Sequence, residues 1–331
     1  MIDKILELVK PARKILILTH NNPDPDTIAS ANGLKYILHS IYKKRCTIAY
    51  DGLIGRAENR ELVKECKIDM HKSKKLNFSR YDVLILVDSQ PTAGNVYIPK
   101  GYFPHIVIDH HNFRKATSKA KIYDVRSEVG STSTIITEYI KSLDLNPDRY
   151  VSTALYYGIK TDTIGSARSN SKIDLEMMSF LLPKISLNKL SKIESPELPK
   201  YYFKNMKKAI ENSEIIDDLI FCNLDEVRNA DLIAETSDFL LRMRDIKWTF
   251  VIGYIDDMCY FSLRCKSMRK KVGTIALQIV RNLGTGGGHM KSAGGQIPLK
   301  DRDYKNILDI LKKRLLKKLG IDLSNTEIKS I

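Results

Sequence analysis

Imidazole and carboxylate side chains follow three short apolar runs in the first part of the chain. The run KILILT precedes HNNPDPD at residues 20–26, the run DVLILV is followed by an aspartate, and HIVI is followed by DHH. One aspartate at the end of a strand is unremarkable, because aspartate favours turns. Three such endings indicate one shared site. Its candidate residues are His20, Asp24, Asp26, Asp88, Asp109, His110 and His111.

The chemistry that this residue set favours is the binding of divalent metal ions. Carboxylates brought within a few ångström repel one another and raise a pKa, so a cluster of them needs cations. Oxygen and imidazole ligands without cysteine favour Mn²⁺ or Mg²⁺, and Fe²⁺, Co²⁺ and Zn²⁺ stay open. A further acid, Asp162, stands in GIKTDT at the end of a predicted helix. Taken alone, Asp162 is more typical of a helix-end turn than of a ligand.

The elements that must position these side chains alternate between strands and helices. Strands are predicted at 14–19, 46–50, 83–88 and 105–109, and helices at 27–41, 59–65, 133–142, 149–160 and 174–182. This alternation is typical of a mostly parallel sheet covered by helices. Open α/β sheets bind ligands at the carboxyl ends of their strands, which is where the candidate residues stand.

A change of composition divides the chain. Residues 187–199 are rich in Ser, Lys and Glu and contain two prolines, which favours a boundary there. We predict a first domain at 1–190, a linker at 191–200 and a smaller second α/β domain at 201–331. The second domain is expected to contain helices at 202–212, 272–281 and 304–319, strands at 219–224, 248–255 and 258–265, and a glycine loop at 284–289.

The chain is strongly basic. Its 331 residues carry 54 Lys and Arg against 39 Asp and Glu, a formal net charge of +15. Residues 261–331 hold 16 of these cations and 5 of the acids, which favours a polyanionic ligand such as a nucleotide or nucleic acid. A hydrophobic fraction of 43% argues against a disordered or fibrous chain.

The sequence shows no sign of export or membrane insertion. No apolar run approaches the ~20 residues that cross a bilayer. Asp3 and Glu7 stand where a secretory signal would be basic and then apolar. The five cysteines are scattered, without a C-x-x-C pair, and are expected to be reduced. We therefore expect a cytoplasmic protein that does not contact a membrane.

The order of the motifs resembles the DHH phosphoesterases. H-x-x-x-D-x-D at residues 20–26, V-D ending at Asp88, D-H-H at 109–111 and G-x-x-x-D-T around Asp162 fill four motifs of that family. The glycine-rich segments 284–289 and 292–295 resemble the loop of the accessory domain called DHHA1. The resemblance spans roughly residues 10–300, and its combined motifs are far more specific than any one of them. Pro25 departs from the small residue that is usual between the two acids.

This resemblance implies roles for individual residues. His20 and Asp24 would hold one ion, Asp26, His110 and Asp162 a second, and Asp88 both. Asp109 would orient His110 or its surroundings, and His111 would lie next to the substrate or the attacking water. Two divalent ions are implied, with Mn²⁺ as the preferred metal and Mg²⁺ or Co²⁺ as alternatives. The substrate-binding residues implied are Arg168, Arg264, Gly286, Gly287, Gly288 and His289, with the active site in a cleft between the two domains.

The expected activity is a metal-dependent phosphodiesterase acting on short oligoribonucleotides or on linear and cyclic dinucleotides, because the chain resembles the short stand-alone members. The alternatives are a RecJ-like exonuclease on single-stranded DNA or RNA, a pAp 3′-phosphatase, hydrolysis of inorganic polyphosphate or pyrophosphate, and a non-catalytic nucleotide-binding subunit. No G-x-S-x-G elbow supports a serine nucleophile. Members of the family often form homodimers through the DHH domain, so self-association is a further expectation.

Overall fold

The computed structural model describes residues 1–163, 171–267, 271–288, 291–300, 302–322 and 326–331. Two of the predicted substrate-binding residues, Arg168 and His289, lie outside these ranges. The chain forms two units, Met1–Pro196 and Glu197–Ile331. No helix among the described residues has the length and apolar character that crossing a membrane requires.

The first unit is built on a six-stranded sheet in the order β3-β2-β1-β4-β5-β6. All of its pairings are parallel. Its strands are β1 (Lys14–Leu18), β2 (Arg45–Tyr50), β3 (Met70–Lys72), β4 (Val83–Val87), β5 (Ile106–Asp109) and β6 (Ile122–Val125). Every residue of β4 is buried, as expected for a central strand covered on both faces. The predicted parallel α/β fold is confirmed.

The described part of this unit contains seven α-helices: α1 (Ile2–Val9), α2 (Pro25–Tyr42), α3 (Ala57–Glu65), α4 (Thr132–Ser142), α5 (Arg149–Thr163), α6 (Lys172–Leu181) and α7 (Leu187–Glu194). The larger core packs α2, α4, α5 and α6 on one face of the sheet. Gly158 allows α5 to lie close to both α2 and α4. A Cβ at this position would lie 2.5 Å from Ser133 Oγ in α4 and 3.0 Å from Ala29 Cβ in α2. The glycine of GIKTDT is thus a packing residue of α5.

The stretch with the changed composition is partly helical. Ser186 caps α7 by accepting a hydrogen bond from Lys189 N, and Leu190 and Ile193 are buried against the first core. The next helix begins at Lys200, which leaves 195–199 between the two helices. The domain limits 1–190, 191–200 and 201–331 stay a prediction.

The second unit is a mixed seven-stranded sheet in the order β11-β12-β10-β9-β8-β7-β13. Among its described strands, β8 and β9 pair in parallel and the other pairs are antiparallel. Its strands are β7 (Ser213–Ile216), β8 (Leu219–Glu226), β9 (Trp248–Ile255), β10 (Met258–Cys265), β11 (Thr285–Gly288), β12 (Ser292–Pro298) and β13 (Ile328–Ser330). Its helices are α8 (Lys200–Glu211), α9 (Asp231–Leu240), α10 (Val272–Ile279) and α11 (Tyr304–Leu319).

The predicted glycine loop at 284–289 is wrong over residues 285–288, since Gly286, Gly287 and Gly288 belong to the edge strand β11, which pairs with β12. Glycine has a low strand propensity, but here the approach of the two backbones requires it. A Cβ on Gly295 would lie 2.4 Å from Thr285 O, and one on Gly288 would lie 2.3 Å from Ser292 O. Residues 285–288 therefore form a strand because their backbone packs closely against β12, a factor that local propensity does not include.

Candidate metal centre

The turns and helix ends at the carboxyl edge of the first sheet bring the predicted ligands together. His20 and Asp24 lie in the turn after β1, and Asp24 also caps α2 by accepting from Thr27 N at 3.1 Å. Asp26 lies in the first turn of α2, and Asp162 lies in the last turn of α5. Three groups of residues there place ligand atoms within 4.8 Å of one another: His20, Asp24 and Asp88; Asp26, His110 and Asp162; and Asp88, His110 and His111.

Asp88 is shared between two of these groups. Its Oδ2 lies 3.5 Å from His20 Nε2, and its Oδ1 lies 3.4 Å from His110 Nε2. The residue directly follows β4 and has a φ of +55°, a left-handed conformation in which aspartate is tolerated better than most residues. Its side chain is 2% exposed. One buried carboxylate thus presents an oxygen to each of two ligand groups.

The first group comprises His20, Asp24 and Asp88. His20 Nε2 lies 3.5 Å from Asp24 Oδ1, and His20 Nδ1 donates to Asn21 O at 2.9 Å. A backbone carbonyl on one ring nitrogen is the usual way in which a metal-binding histidine is oriented with its other nitrogen towards the ion. Burial disfavours the charged imidazole, but Asp24 and Asp88 outweigh it and raise the pKa of His20 well above its ordinary value.

The second group comprises Asp26, His110 and Asp162. His110 Nε2 lies 3.8 Å from Asp26 Oδ2 and 3.6 Å from Asp162 Oδ2. Burial and the Asp88 charge raise the pKa of Asp26 to about 7, and burial and the Asp26 charge raise the pKa of Asp162 well above its ordinary value. Burial opposes protonation of His110, but the neighbouring carboxylates raise its pKa to about 9. The neighbouring imidazole therefore does not fully compensate the negative charge of the carboxylates in this group.

The residues present fit divalent metal ions. Four carboxylates and three imidazoles converge here, with no thiol among the described residues of these groups, and this donor set suits Mn²⁺, Mg²⁺ or Co²⁺. Cations would relieve the repulsion that raises the pKa values of Asp26 and Asp162. Beside His20, the buried Asn21 Oδ1 has no hydrogen-bond partner among the described residues, and a polar ligand of an ion is one group that could satisfy it.

The amino end of α4 holds two of the predicted ligands. Thr132 N donates to Asp26 Oδ2 and Ser133 N donates to Asp26 Oδ1, both at 2.7 Å. Thr132 Oγ1 donates to Asp88 Oδ1 at 3.0 Å. The partial positive charge of a helix amino end favours carboxylates there. Sequence reasoning missed these two residues, although the run GSTST at 130–134 is a signal for a capped helix start.

Asp109 and His111 form a pair beside the metal ligands. Asp109 Oδ1 lies 2.9 Å from His111 Nδ1, and because a carboxylate only accepts, Nδ1 carries the proton. Gln90 Nε2 donates to the other oxygen, Asp109 Oδ2, at 2.6 Å. Asp109 is 1% exposed, whereas the His111 side chain is 36% exposed. Sequence reasoning placed Asp109 and His111 at the site but missed Gln90, because glutamine has no chemical signature of its own.

The second unit has a groove that contains four of the predicted substrate-binding residues. It has a volume of about 610 Å³ and is lined by Gly286, Gly287, Gly288 and Arg264. Arg264 Nε donates to Asp238 Oδ1 at 2.6 Å, and another guanidinium nitrogen donates to Ala293 O at 3.2 Å. The side chain is 15% exposed. Arg264 is thus held in place by the groove wall.

Comparison with known proteins identifies the class of this chain. Residues 14–159 match the N-terminal domain of the DHH family, and residues 217–317 match the DHHA1 domain. The chain therefore carries the DHH domain and the DHHA1 domain that its motifs predict.

Relatives of known sequence cover most of this chain. An uncharacterised protein of Methanocaldococcus jannaschii is 34% identical over 93% of this chain and 64% of its own length. The cyclic-di-AMP phosphodiesterase GdpP of Geobacillus thermodenitrificans is 26% identical over 88% of this chain and 46% of its own length. The chain therefore spans about two thirds of the first relative and about half of the second.

Solved structures show the same fold. An exopolyphosphatase-related protein from Bacteroides fragilis superposes with a TM-score of 0.73 at 19% identity and covers 96% of both chains. RecJ from Thermus thermophilus in complex with Mn²⁺ superposes with a TM-score of 0.50 at 11% identity, over 96% of this chain and 54% of RecJ. At these identities the likeness concerns the fold.

Proposed function

We propose that this chain is a phosphodiesterase that hydrolyses short oligoribonucleotides, or linear and cyclic dinucleotides, to mononucleotides. It would use two divalent metal ions, with Mn²⁺ as the preferred metal. The observation that carries the proposal is the position of Asp88, which offers one oxygen to the His20 group and the other to the His110 group. A cyclic-di-AMP phosphodiesterase among the relatives supports the choice of a dinucleotide as substrate.

The proposed roles follow from the contacts of the chain. His20 and Asp24 would hold one ion, Asp26, His110 and Asp162 the other, and Asp88 both. When bound, two ions supply an activated water and charge stabilisation at the phosphate. The backbone N–H groups of Thr132 and Ser133 keep the Asp26 carboxyl oriented.

The Asp109–His111 pair would transfer a proton to or from the substrate or a water molecule. Asp109 keeps the proton on His111 Nδ1, which leaves Nε2 as the atom that exchanges a proton with the substrate or with water. We assign the Arg264 and glycine groove to binding of the substrate's phosphate, because a guanidinium and exposed glycine backbone both suit an oxyanion. Arg264→Ala should therefore raise KM more than it lowers kcat, with metal binding unchanged.

The substrate class is tested by an Mn²⁺-dependent cleavage panel. It contains the linear dinucleotide pApA, cyclic di-AMP, pAp, inorganic polyphosphate, and long single strands of DNA and RNA, with products resolved over time. Fast release of mononucleotides from the dinucleotides with slow cleavage of the long strands supports the proposal. Processive shortening of the long strands favours an exonuclease, and no cleavage of any of them favours a binding protein.

The metal assignment is tested by Asp88→Asn. The substitution removes the shared charge and should abolish hydrolysis while leaving the fold intact. Asp144→Asn is a matched control, because Asp144 has a similar left-handed φ of +50° but follows α4 away from the ligand set. Activity of Asp88→Asn comparable with that of Asp144→Asn would contradict the assignment. Homodimerisation stays a prediction, which analytical ultracentrifugation tests.

A further inference from the structure

Two exposed aromatic rings lie on the segment that follows the Asp109–His111 pair and on the neighbouring strand. Phe113 is 52% exposed and Tyr123 is 41% exposed. Their ring centroids lie 5.5 Å apart with an interplanar angle of 49°. Single exposed apolar residues need no explanation, but two rings in contact form a surface large enough for another ring. We call Phe113 and Tyr123 the aromatic platform.

The aromatic platform is tied to the Asp109–His111 pair through Gln90. Gln90 Nε2 donates to Asn112 O at 3.1 Å, and Arg114 N donates to Gln90 Oε1 at 2.7 Å. The backbone on both sides of Phe113 is thus bound by one amide, which is 1% exposed and also donates to Asp109. The position of Phe113 is therefore coupled to that of the pair.

Tyr123 places the aromatic platform at the flank of the sheet. It belongs to β6, the strand at the sheet edge, and pairs with Val107, whereas Asp109 pairs with Val125. Tyr123 thus stands two residues, or about 6.6 Å along a parallel strand, before the carboxyl edge. A ligand ring on this surface would belong to a part of the ligand that lies beside the metal ligands and extends away from them.

The exposed charged residues that directly follow Phe113 and precede Tyr123 are positive, and the buried Asp124 beside Tyr123 is paired with Arg126. Arg114 and Lys115 follow Phe113 directly, and Lys119 and Lys121 precede Tyr123; all four are exposed. Within the described ranges, no carboxylate forms an ion pair with Arg114 or Lys115, and a guanidinium nitrogen of Arg114 donates to Thr92 O at 3.4 Å. Aromatic rings flanked by unpaired cations suit a single nucleic-acid strand, because bases stack on the rings while phosphates meet the cations.

We propose that the aromatic platform stacks a base of a single-stranded oligonucleotide, in a nucleotide beyond the two that flank the bond to be cleaved. The proposal deepens the proposed function, on which it rests, by extending the preferred substrate to strands of three or more nucleotides. A dinucleotide has no base to place there. The aromatic platform therefore contributes to the binding of longer strands only.

Binding is measured apart from catalysis, on the full chain with the Asp88→Asn substitution and with Mn²⁺ present. Fluorescence polarisation of a labelled pentaribonucleotide should show a Kd raised roughly 5- to 150-fold by Phe113→Ala, the range found for loss of one base–aromatic stack. Tyr123→Ala should act in the same direction, and Phe113→Trp should keep tight binding. The Kd of a labelled dinucleotide should change by less than about twofold.

Phe203→Ala is the matched control. Phe203 is an exposed phenylalanine, at 61%, with an aromatic neighbour, Tyr202, in the second unit. An unchanged pentanucleotide Kd in Phe113→Ala, an equal loss for the dinucleotide, or an equal loss in Phe203→Ala would each overturn the proposal. Failure of the cleavage panel would instead overturn the proposed function, since this binding assay requires no turnover.

Discussion

The amide of Gln90 offers a direct test of how the Asp109–His111 pair is held. It donates to Asp109 Oδ2 and to Asn112 O, and its Oε1 accepts from Arg114 N and from Thr117 Oγ1 at 2.8 Å. Gln90→Glu keeps the volume and the acceptor but replaces the donor with an oxygen. A carboxylate oxygen would then face Asp109 Oδ2 across the 2.6 Å that the hydrogen bond now spans.

The magnitude follows from that distance. Two unit charges so close repel by about 6 kcal/mol at an effective dielectric constant of about 20, so one group takes a proton or the two move apart. If the two groups move apart, a hydrogen bond to a charged acceptor is lost, which costs about 1.5–3 kcal/mol of unfolding free energy. It also releases Asp109 from its position against His111. Loss of such a supporting contact lowers activity by about 10- to 100-fold.

The assay compares Gln90→Glu with Thr117→Val. Thr117→Val removes one hydrogen bond to the same side chain but leaves the donor to Asp109 in place, so it should cost about 1 kcal/mol of stability. We expect Gln90→Glu to lower kcat with little change of KM, and Thr117→Val to change kcat by less than about threefold. Urea unfolding and steady-state cleavage of a dinucleotide measure both quantities.

Two results would refute this reasoning. If Gln90→Glu loses stability but keeps its kcat, the orientation of the Asp109–His111 pair does not depend on the amide. If Thr117→Val lowers kcat as strongly as Gln90→Glu, the effect comes from the loop as a whole rather than from the donor to Asp109.

Three further predictions concern stability, thiol reactivity and metal removal. Asp174→Ala should lower the unfolding free energy by about 3–5 kcal/mol in urea, because the buried carboxylate accepts from Gly130 N, Thr134 Oγ1 and Ser171 N; a loss below about 1 kcal/mol would contradict this. Burial raises the pKa of Cys46 to about 11 and that of Cys66 to about 12, so both should react with Ellman's reagent at pH 8 at least about a hundredfold more slowly than in denaturant; equal rates would oppose this. Chelation of metal should lower Tm, since the clustered carboxylates then repel; a Tm unmoved by chelator and by added Mn²⁺ would count against a metal centre.

Part of the fold was predictable because its signals are local. β9, β10 and α11 begin and end where the sequence predicts them, at Trp248–Ile255, Met258–Cys265 and Tyr304–Leu319. Turn-forming aspartates separate the two strands, and α11 begins after the capping Asp303 and ends before Gly320 in a left-handed conformation. In each case a few adjacent residues decide the boundary.

Other elements could not be predicted because their partners are distant in the sequence. The edge strands β3, β6 and β13 are short and partly polar, and they exist only because a neighbouring strand pairs with them. The glycines of β11 disfavour a strand locally, yet pairing with β12 requires them. The amphipathic helix α1 was also missed, although Ile5 and Val9 are fully buried.

The sequence by itself determined which side chains could do chemistry: aspartates and histidines at the ends of strands, in an order typical of the DHH family. Strand ends of a parallel sheet share one edge, so local pattern was enough to bring these residues together. Only the tertiary structure decided how they are held. Gln90 lies 19 residues from Asp109, and Ser133 lies 107 residues from Asp26. Both are ordinary polar residues whose importance comes from burial against a carboxylate, a property that no local pattern of residues expresses.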